Sequence, residues 1–141
     1  MIVIDTSALV AIALADPERE GFVQAILQTD TVLVSTVSVV EARMVVHARR
    51  GHAAVALLDD VLRLPMFEIV PPGAAEMDAA YAGFVIYGRG SGHAARSNFG
   101  DVFSYALVKV RGVPLLFKSN DLSETDVAAV PGAGPSKRPF R

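Results

Sequence analysis

Ile2-Val3-Ile4-Asp5-Thr6-Ser7-Ala8-Leu9 is the stretch that decides the fold. Three β-branched residues in succession fit a short strand buried on both faces. The run stops at Asp5-Thr6-Ser7, a cluster of helix-capping side chains, and the apolar residues through Leu14 read as a helix. A strand that passes straight into a helix is the opening unit of an α/β fold.

The same unit recurs along the chain. Asp16-Pro17-Glu18 is expected to cap a second helix, with proline at its first position and Phe22, Val23, Ile26 and Leu27 at helical spacing. Residues 31–35 read as the second strand. Ser38-Val39-Val40-Glu41 then matches a capping box that opens a helix to about Arg50. Gly51 breaks that helix, another spans 52–64, and Phe67-Glu68-Ile69-Val70 reads as the third strand. Helices over 74–87 and 101–111 flank a basic glycine loop at 88–93, and 114–117 is the fourth strand, closing on Ser119-Asn120-Asp121. The alternation predicts one α/β domain over residues 1–130, with a parallel sheet of four to five strands and helices on both faces. Residues 131–141, rich in Gly and Pro and carrying Lys137, Arg138 and Arg141, are expected to fray as a flexible basic tail.

With 141 residues the chain is long enough for one core without cross-links, and the absence of cysteine removes disulfides, thiolate zinc sites and cysteine nucleophiles. Roughly 57% of the residues are apolar when glycine is counted and tyrosine is not, above the usual 45–50%. No membrane span accounts for the surplus: the longest uninterrupted apolar run, 8–15, is eight residues where a spanning helix needs about 20. Ala13-Leu14-Ala15 imitates a signal-peptidase site, but no Lys or Arg precedes it and Asp5 stands where a basic segment should, so a cytoplasmic location is expected. The surplus instead predicts a buried interface, with a second copy or with a partner helix in a groove. Of Val39, Val40, Met44, Val45, Leu57, Leu58 and Leu62, most are expected in the core and some at that interface.

In parallel α/β sheets, ligands bind beyond the carboxyl ends of the strands. Asp5 follows the first strand and Asp121 the last, while Glu41 and Asp101 open the helices after strand two and before strand four. Any one of them reads as an ordinary helix cap. Gathered at one edge they read differently, because two carboxylates about 4 Å apart repel by roughly 4 kcal/mol at an effective dielectric near 20. Such a cluster raises its own pKa values or recruits a cation. All-oxygen donors suit Mg²⁺, with Mn²⁺ as substitute, rather than zinc.

At these residues the chain resembles a known family. Ile2-Val3-Ile4-Asp5-Thr6-Ser7 is similar to the opening of a PIN domain, Asn98-Phe99-Gly100-Asp101 to the third-acid segment of the VapC toxins in that family, and Leu115-Leu116-Phe117-Lys118-Ser119-Asn120-Asp121 to their fourth-acid segment. Val102 departs from the cysteine usual in close relatives, at a packing position. The resemblance implies a single PIN-like domain and a Mg²⁺-dependent endoribonuclease toxin that cleaves structured RNA of the tRNA or rRNA class, leaving a 5′-phosphate and a 3′-hydroxyl. It further implies a homodimer neutralised by a cognate VapB-type antitoxin. Asp5, Glu41, Asp101 and Asp121 would be the catalytic acids, with Asp5, Asp101 and Asp121 on the metal and Thr6, Ser7, Asn98 and Ser119 in support. The alternative is a catalytically silent PIN-like module that binds RNA or protein.

Other classes fit less well. A phosphotransferase of the haloacid dehalogenase type needs a second acid two residues after Asp5, where Ser7 stands; a phospho-receiver domain needs an acceptor Asp in mid-chain. Gly88, Gly90 and Gly92 match neither phosphate-loop spacing and follow a helix, so they read as a mobile loop. Arg43, Arg89, Arg96 and Lys118 are RNA-contact candidates; Arg49 and Arg50 share a basic edge with Arg43, while His47, His52 and His93 read as surface or capping groups. The formal charge of −2 argues at first against a nucleic-acid enzyme. Setting the four acids aside leaves 11 of the 15 acidic residues facing 13 basic ones, a mildly positive surround.

Overall fold

In the computed structural model, which describes residues 1–134, β1 (Ile2–Ile4) is buried at all three positions because it lies inside the sheet. It pairs with β2 (Val32–Ser35) on one side and β4 (Leu115–Leu116) on the other; β3 (Phe67–Val70) extends the order to β3-β2-β1-β4. All three pairings are parallel, with Ile2 opposite Val32, Val3 opposite Leu115 and Val34 opposite Ile69. Residues 135–141, including the basic residues of the tail, lie outside the described residues.

Parallel strands need helical crossovers, and the helices cover both faces. Alternation along β1 sends Ile2 and Ile4 to one face and Val3 to the other. On the first face they meet Val32, Val34 and Leu116 together with α1 (Thr6–Ala13), α2 (Arg19–Leu27), α3 (Thr36–Arg50) and α4 (His52–Leu62). On the second, Val3, Leu33, Leu115 and Phe117 pack on Leu107 and Val108 of α6 (Phe99–Arg111). α5 (Ala74–Tyr87) lies outside α6, and Gly83 allows the approach: a Cβ there would stand 2.6 Å from the Tyr105 ring. α7 (Asn120–Ser123) is a single turn after β4.

Several helix starts differ from the sequence expectation. α3 begins at Thr36, capped by Ser35, whose Oγ accepts from Val37 N (3.2 Å), so the expected Ser38–Glu41 box does not form. The strand runs directly into the helix, and its last hydroxyl is already placed to cap. Ser38 is thereby buried inside the helix, and Glu41 stands in its second turn with its carboxylate free of a capping role. α6 opens at Asn98 rather than at Asp101, which sits three residues in and closes a reciprocal capping box. α2 starts at Arg19 without a side-chain cap; Phe22 and Ile26 are buried, but Leu27 is exposed.

The expected tail is still tied at its start, since Gly134 N donates to Phe117 O (2.6 Å) and Val130 N to Leu115 O (2.9 Å). Of the apolar residues expected to divide between core and interface, Val39, Leu58 and Leu62 are buried, whereas Val40, Met44 and Leu57 are exposed. α5 adds exposed Met77, Tyr81, Val85 and Ile86. Among the described residues, no helix is long and apolar enough to cross a membrane.

Candidate active site

β1 has β2 on one flank and β4 on the other, so the chain leaves it toward both edges of the sheet. This is the switch point at which parallel sheets open a crevice beyond their carboxyl ends. Helices that run antiparallel to the strands bring their N-termini to the same edge, where exposed N–H groups and the macrodipole favour negative charge. α1 starts there directly after β1, α3 after β2 and α7 after β4.

One cavity at this edge is lined by Asp5, Thr6, Ser7, Glu41, Asn98, Asp101, Lys118, Ser119 and Asn120, together with Asp16 and Arg49. The fold thus brings together three of the four acids from three different elements. Asp121 is half-buried in the first turn of α7 and does not line the cavity, but its charge is felt at Asp101. Among the described residues, no three acids or histidines close into a finished ligand cage.

Each carboxylate is held by local structure. Asp5, 2% exposed, caps α1: its Oδ2 accepts from Ser7 N (2.9 Å) and Ser7 Oγ (2.6 Å). Asp101 Oδ2 accepts from Asn98 N (3.0 Å) while Asn98 Oδ1 accepts from Asp101 N (2.9 Å). Glu41 rests against the backbone of Gly100, where any Cβ would overlap its carboxylate. Ser119 caps α7 by accepting from Asp121 N (3.2 Å).

Ser7 also joins the two strand ends. Its Oγ accepts from Lys118 N (2.9 Å) and Ser119 N (3.2 Å), locking the loop after β4 onto the start of α1. Thr6 Oγ1 donates to the Ser38 carbonyl (3.2 Å), which holds α3 against α1.

Burial and crowding set the electrostatics. Asp101 is pushed up to about 7, chiefly by burial, with the neighbouring charges of Asp5, Asp121 and Glu41 adding and the Asn98 N–H opposing. Glu41 is raised too, mainly by burial and also by Asp5, against a hydrogen bond with the Thr6 side chain. A carboxylate site that resists its own ionisation is one that a cation would relieve.

The basic candidates are dispersed. Lys118 lines the cavity, with Nζ paired to Asp16 (2.8 Å) and Glu18 (3.4 Å). Arg43 pairs with Asp59 (2.8 Å) on an exposed flank of α3, outside the cavity lining. Arg89 and Arg96 are exposed on a loop tied at its base by Arg89 N to Ser97 O (3.0 Å). His93 Nδ1 accepts from Ala95 N (3.0 Å) and its ring meets Tyr87 edge-on, a local structural role.

Ser38, which reads in sequence as a helix cap, and Ser104 are both fully buried beneath Asp5. Ser104 lies one helical turn after Asp101 on an apolar helix, the one signal that could have marked it.

The PIN-domain family model matches residues 2–128. Ribonuclease VapC30 of Mycobacterium tuberculosis and Ribonuclease VapC of Mycolicibacterium smegmatis are each 43% identical over 128 residues, 91% of this chain and 97% and 98% of theirs. In backbone alone, the chain is similar to the crystal structure of Mycobacterium tuberculosis VapC20, described as a sarcin-ricin loop cleaving toxin, with a TM-score of 0.75, 19% identity, and 92% and 98% of the two chains covered. It is also similar to VapBC2 of Rickettsia felis, solved on a DNA fragment from its promoter, with a TM-score of 0.71, 14% identity, and 92% and 96% covered. A fold, an acid-lined crevice at its switch point and this degree of identity over nearly the whole length agree: the chain belongs to the PIN-domain family, in its VapC branch.

Proposed function

We propose that this chain is a divalent-cation-dependent endoribonuclease of the toxin type, acting on structured RNA of the tRNA or rRNA class. The carrying observation is that Asp5, Glu41 and Asp101, from three separate elements, line one cavity within electrostatic reach of Asp121. The donor chemistry fits a hard cation, being carboxylate, hydroxyl and amide oxygen with no thiolate or imidazole. Asp5, Asp101 and Asp121 would hold Mg²⁺, or Mn²⁺ in its place. When bound, the cation supplies charge neutralisation at the phosphoryl oxygens and a lowered pKa for water.

The chain's own residues do the rest. Ser7 and the Asn98 box fix the orientation of the Asp5 and Asp101 carboxylates, so little reorganisation accompanies the reaction. Glu41, raised above the ordinary carboxylate range chiefly by burial, would be the acid that takes up the water proton on its carboxylate. Arg49 and Lys118 give the cavity a cationic wall beside its acids, suited to the phosphate backbone. Arg43, Arg89 and Arg96 would act only on RNA reaching beyond the cavity.

Exposed Val40, Met44 and Leu57 on α3 and α4, and Met77, Tyr81 and Val85 on α5, support a homodimer and a VapB-type antitoxin segment as covers of these apolar residues. The names of the VapC relatives support the ribonuclease assignment.

The test is incubation of the purified protein with tRNA and rRNA in Mg²⁺ and in excess EDTA, followed by sequencing of the RNA ends. Discrete cleavage that EDTA abolishes and Mg²⁺ restores is expected. Cleavage indifferent to EDTA would reject the cation-dependent site, and specific RNA binding without cleavage would favour the silent module.

Gly100→Ala is a sharper probe of Glu41. The added methyl displaces the carboxylate end of a flexible side chain, so folding stability is expected to fall by no more than about 1–3 kcal/mol. Cleavage is expected to fall roughly 10- to 100-fold, since a displacement near 1 Å at a reacting group costs that much. Wild-type rates in this variant would remove Glu41 from the mechanism.

A further inference from the structure

Beneath Asp5 runs a buried chain of hydroxyls that joins three helices. Ser104 Oγ donates to Asp5 Oδ1 (2.5 Å), and Ser38 Oγ lies 3.2 Å from Ser104 Oγ; both serines are 0% exposed. A carboxylate can only accept, so Ser104 spends its proton on Asp5 and the Ser38 hydroxyl donates to Ser104. The order of protons is therefore fixed as Ser38 to Ser104 to Asp5.

Lone-pair accounting then separates the two oxygens of Asp5. Oδ2 receives both Ser7 N and Ser7 Oγ and is saturated. Oδ1 receives Ser104 alone among the described residues and keeps one acceptor site. Asp5 lines the acid cavity, so Oδ1 is the atom it can offer to a ligand there.

We propose that Ser104, backed by Ser38, is a positioning residue that holds Asp5 Oδ1 toward a divalent cation. The inference rests on the cation-dependent reading of the site and adds a supporting shell to it. A hydrogen bond of this kind fixes the orientation of a ligating carboxylate, and its loss characteristically weakens cation affinity 10- to 100-fold. The three elements it joins, α1 through its Asp5 cap, α3 through Ser38 and α6 through Ser104, are those that supply Asp5, Glu41 and Asp101.

The test is a Mg²⁺ titration of the full chain, free of RNA, read as the rise in melting temperature, for wild type, Ser104→Ala and Ser38→Ala. Ser104→Ala is expected to raise the half-saturating Mg²⁺ concentration 10- to 100-fold while leaving the KM for RNA at saturating Mg²⁺ within about twofold. Ser38→Ala, which leaves the Ser104 to Asp5 bond in place, is expected to raise it by a smaller factor, about threefold or more; this variant carries the test if Ser104→Ala fails to fold. Half-saturation within twofold of wild type in the folded variants would overturn the proposal and leave the cation site standing. A wild type with no Mg²⁺-dependent shift and no EDTA-sensitive cleavage would overturn both.

Discussion

Asp101→Asn is expected to lose RNA cleavage by a factor of at least about 10² and, in the same protein, to raise the melting temperature measured without cation at pH 8. The substitution keeps the local structure, because an asparagine carbonyl still accepts from Asn98 N and completes the capping box. What it removes is a charge that the fold holds at a cost. Burial, together with the charges of Asp5, Asp121 and Glu41, lifts Asp101 from 3.8 to about 7. Between those values the folded chain binds more protons than the unfolded one, so the stability contributed by this group is full below about pH 4. It is lost progressively as pH rises to about 7 and is level thereafter.

An asparagine at this position does not titrate, so the variant escapes that loss. At pH 8 the gain is on the order of 1–4 kcal/mol. Melting curves in EDTA from pH 4 to 8 should show the two proteins converging at the acid end, separating progressively up to about pH 7 and staying a constant distance apart above it. Added Mg²⁺ should raise the wild type toward the variant. Equal melting temperatures at pH 8 would show that no charge strain is stored at Asp101; undiminished cleavage would remove it from the site.

Asp5 makes the opposite prediction, because its carboxylate is a structural keystone as well as a proposed cation ligand. In Asp5→Ala the Ser7 N–H loses its cap, and the buried Ser104 and Ser38 hydroxyls lose the acceptor at the end of their chain. A lost cap costs about 0.5–2 kcal/mol and an orphaned buried hydroxyl about 1–3 kcal/mol. Together they should lower stability by roughly 2–4 kcal/mol, or about 6–15 °C in melting temperature.

Asp5→Asn should behave differently. Its carbonyl caps Ser7 N, and its amide donates to Ser104 Oγ, which reverses the hydroxyl chain without orphaning it. The expected result is two inactive variants, of which only the alanine is unstable. Urea unfolding beside an RNA cleavage assay separates them, and an Asp5→Asn variant that cleaves at the wild-type rate would refute the role of the charge.

Local patterns disclosed much of this architecture. Runs of β-branched residues marked β1 and β2, the Ala74–Tyr87 helix was legible to the residue, and Asp5 was correctly read as the cap of α1. The reading failed where two local solutions competed. Ser35 and Ser38 can each cap a helix, and the choice went to Ser35 because β2 delivers it to the sheet edge already in extended geometry. That choice freed Glu41 from a capping role and buried Ser38. Equally illegible was the pairing of Lys118, a cavity-lining residue, with Asp16, 102 residues away in sequence.

Capping, periodicity and β-branching act over a few neighbouring residues, so the strands, the main helices, the parallel sheet and the acids Asp5, Asp101 and Asp121 near helix starts are legible in the sequence. Long-range packing puts β4 beside β1, gathers Asp5, Glu41 and Asp101 in one cavity that Asp121 does not line, and carries Ser104 to Asp5 across 99 residues. The physical reason is that such contacts come from packing the two faces of the sheet. Ser104 is brought to Asp5 by Leu107 and Val108 docking on Val3 and Leu115, and no pattern within either segment encodes that meeting.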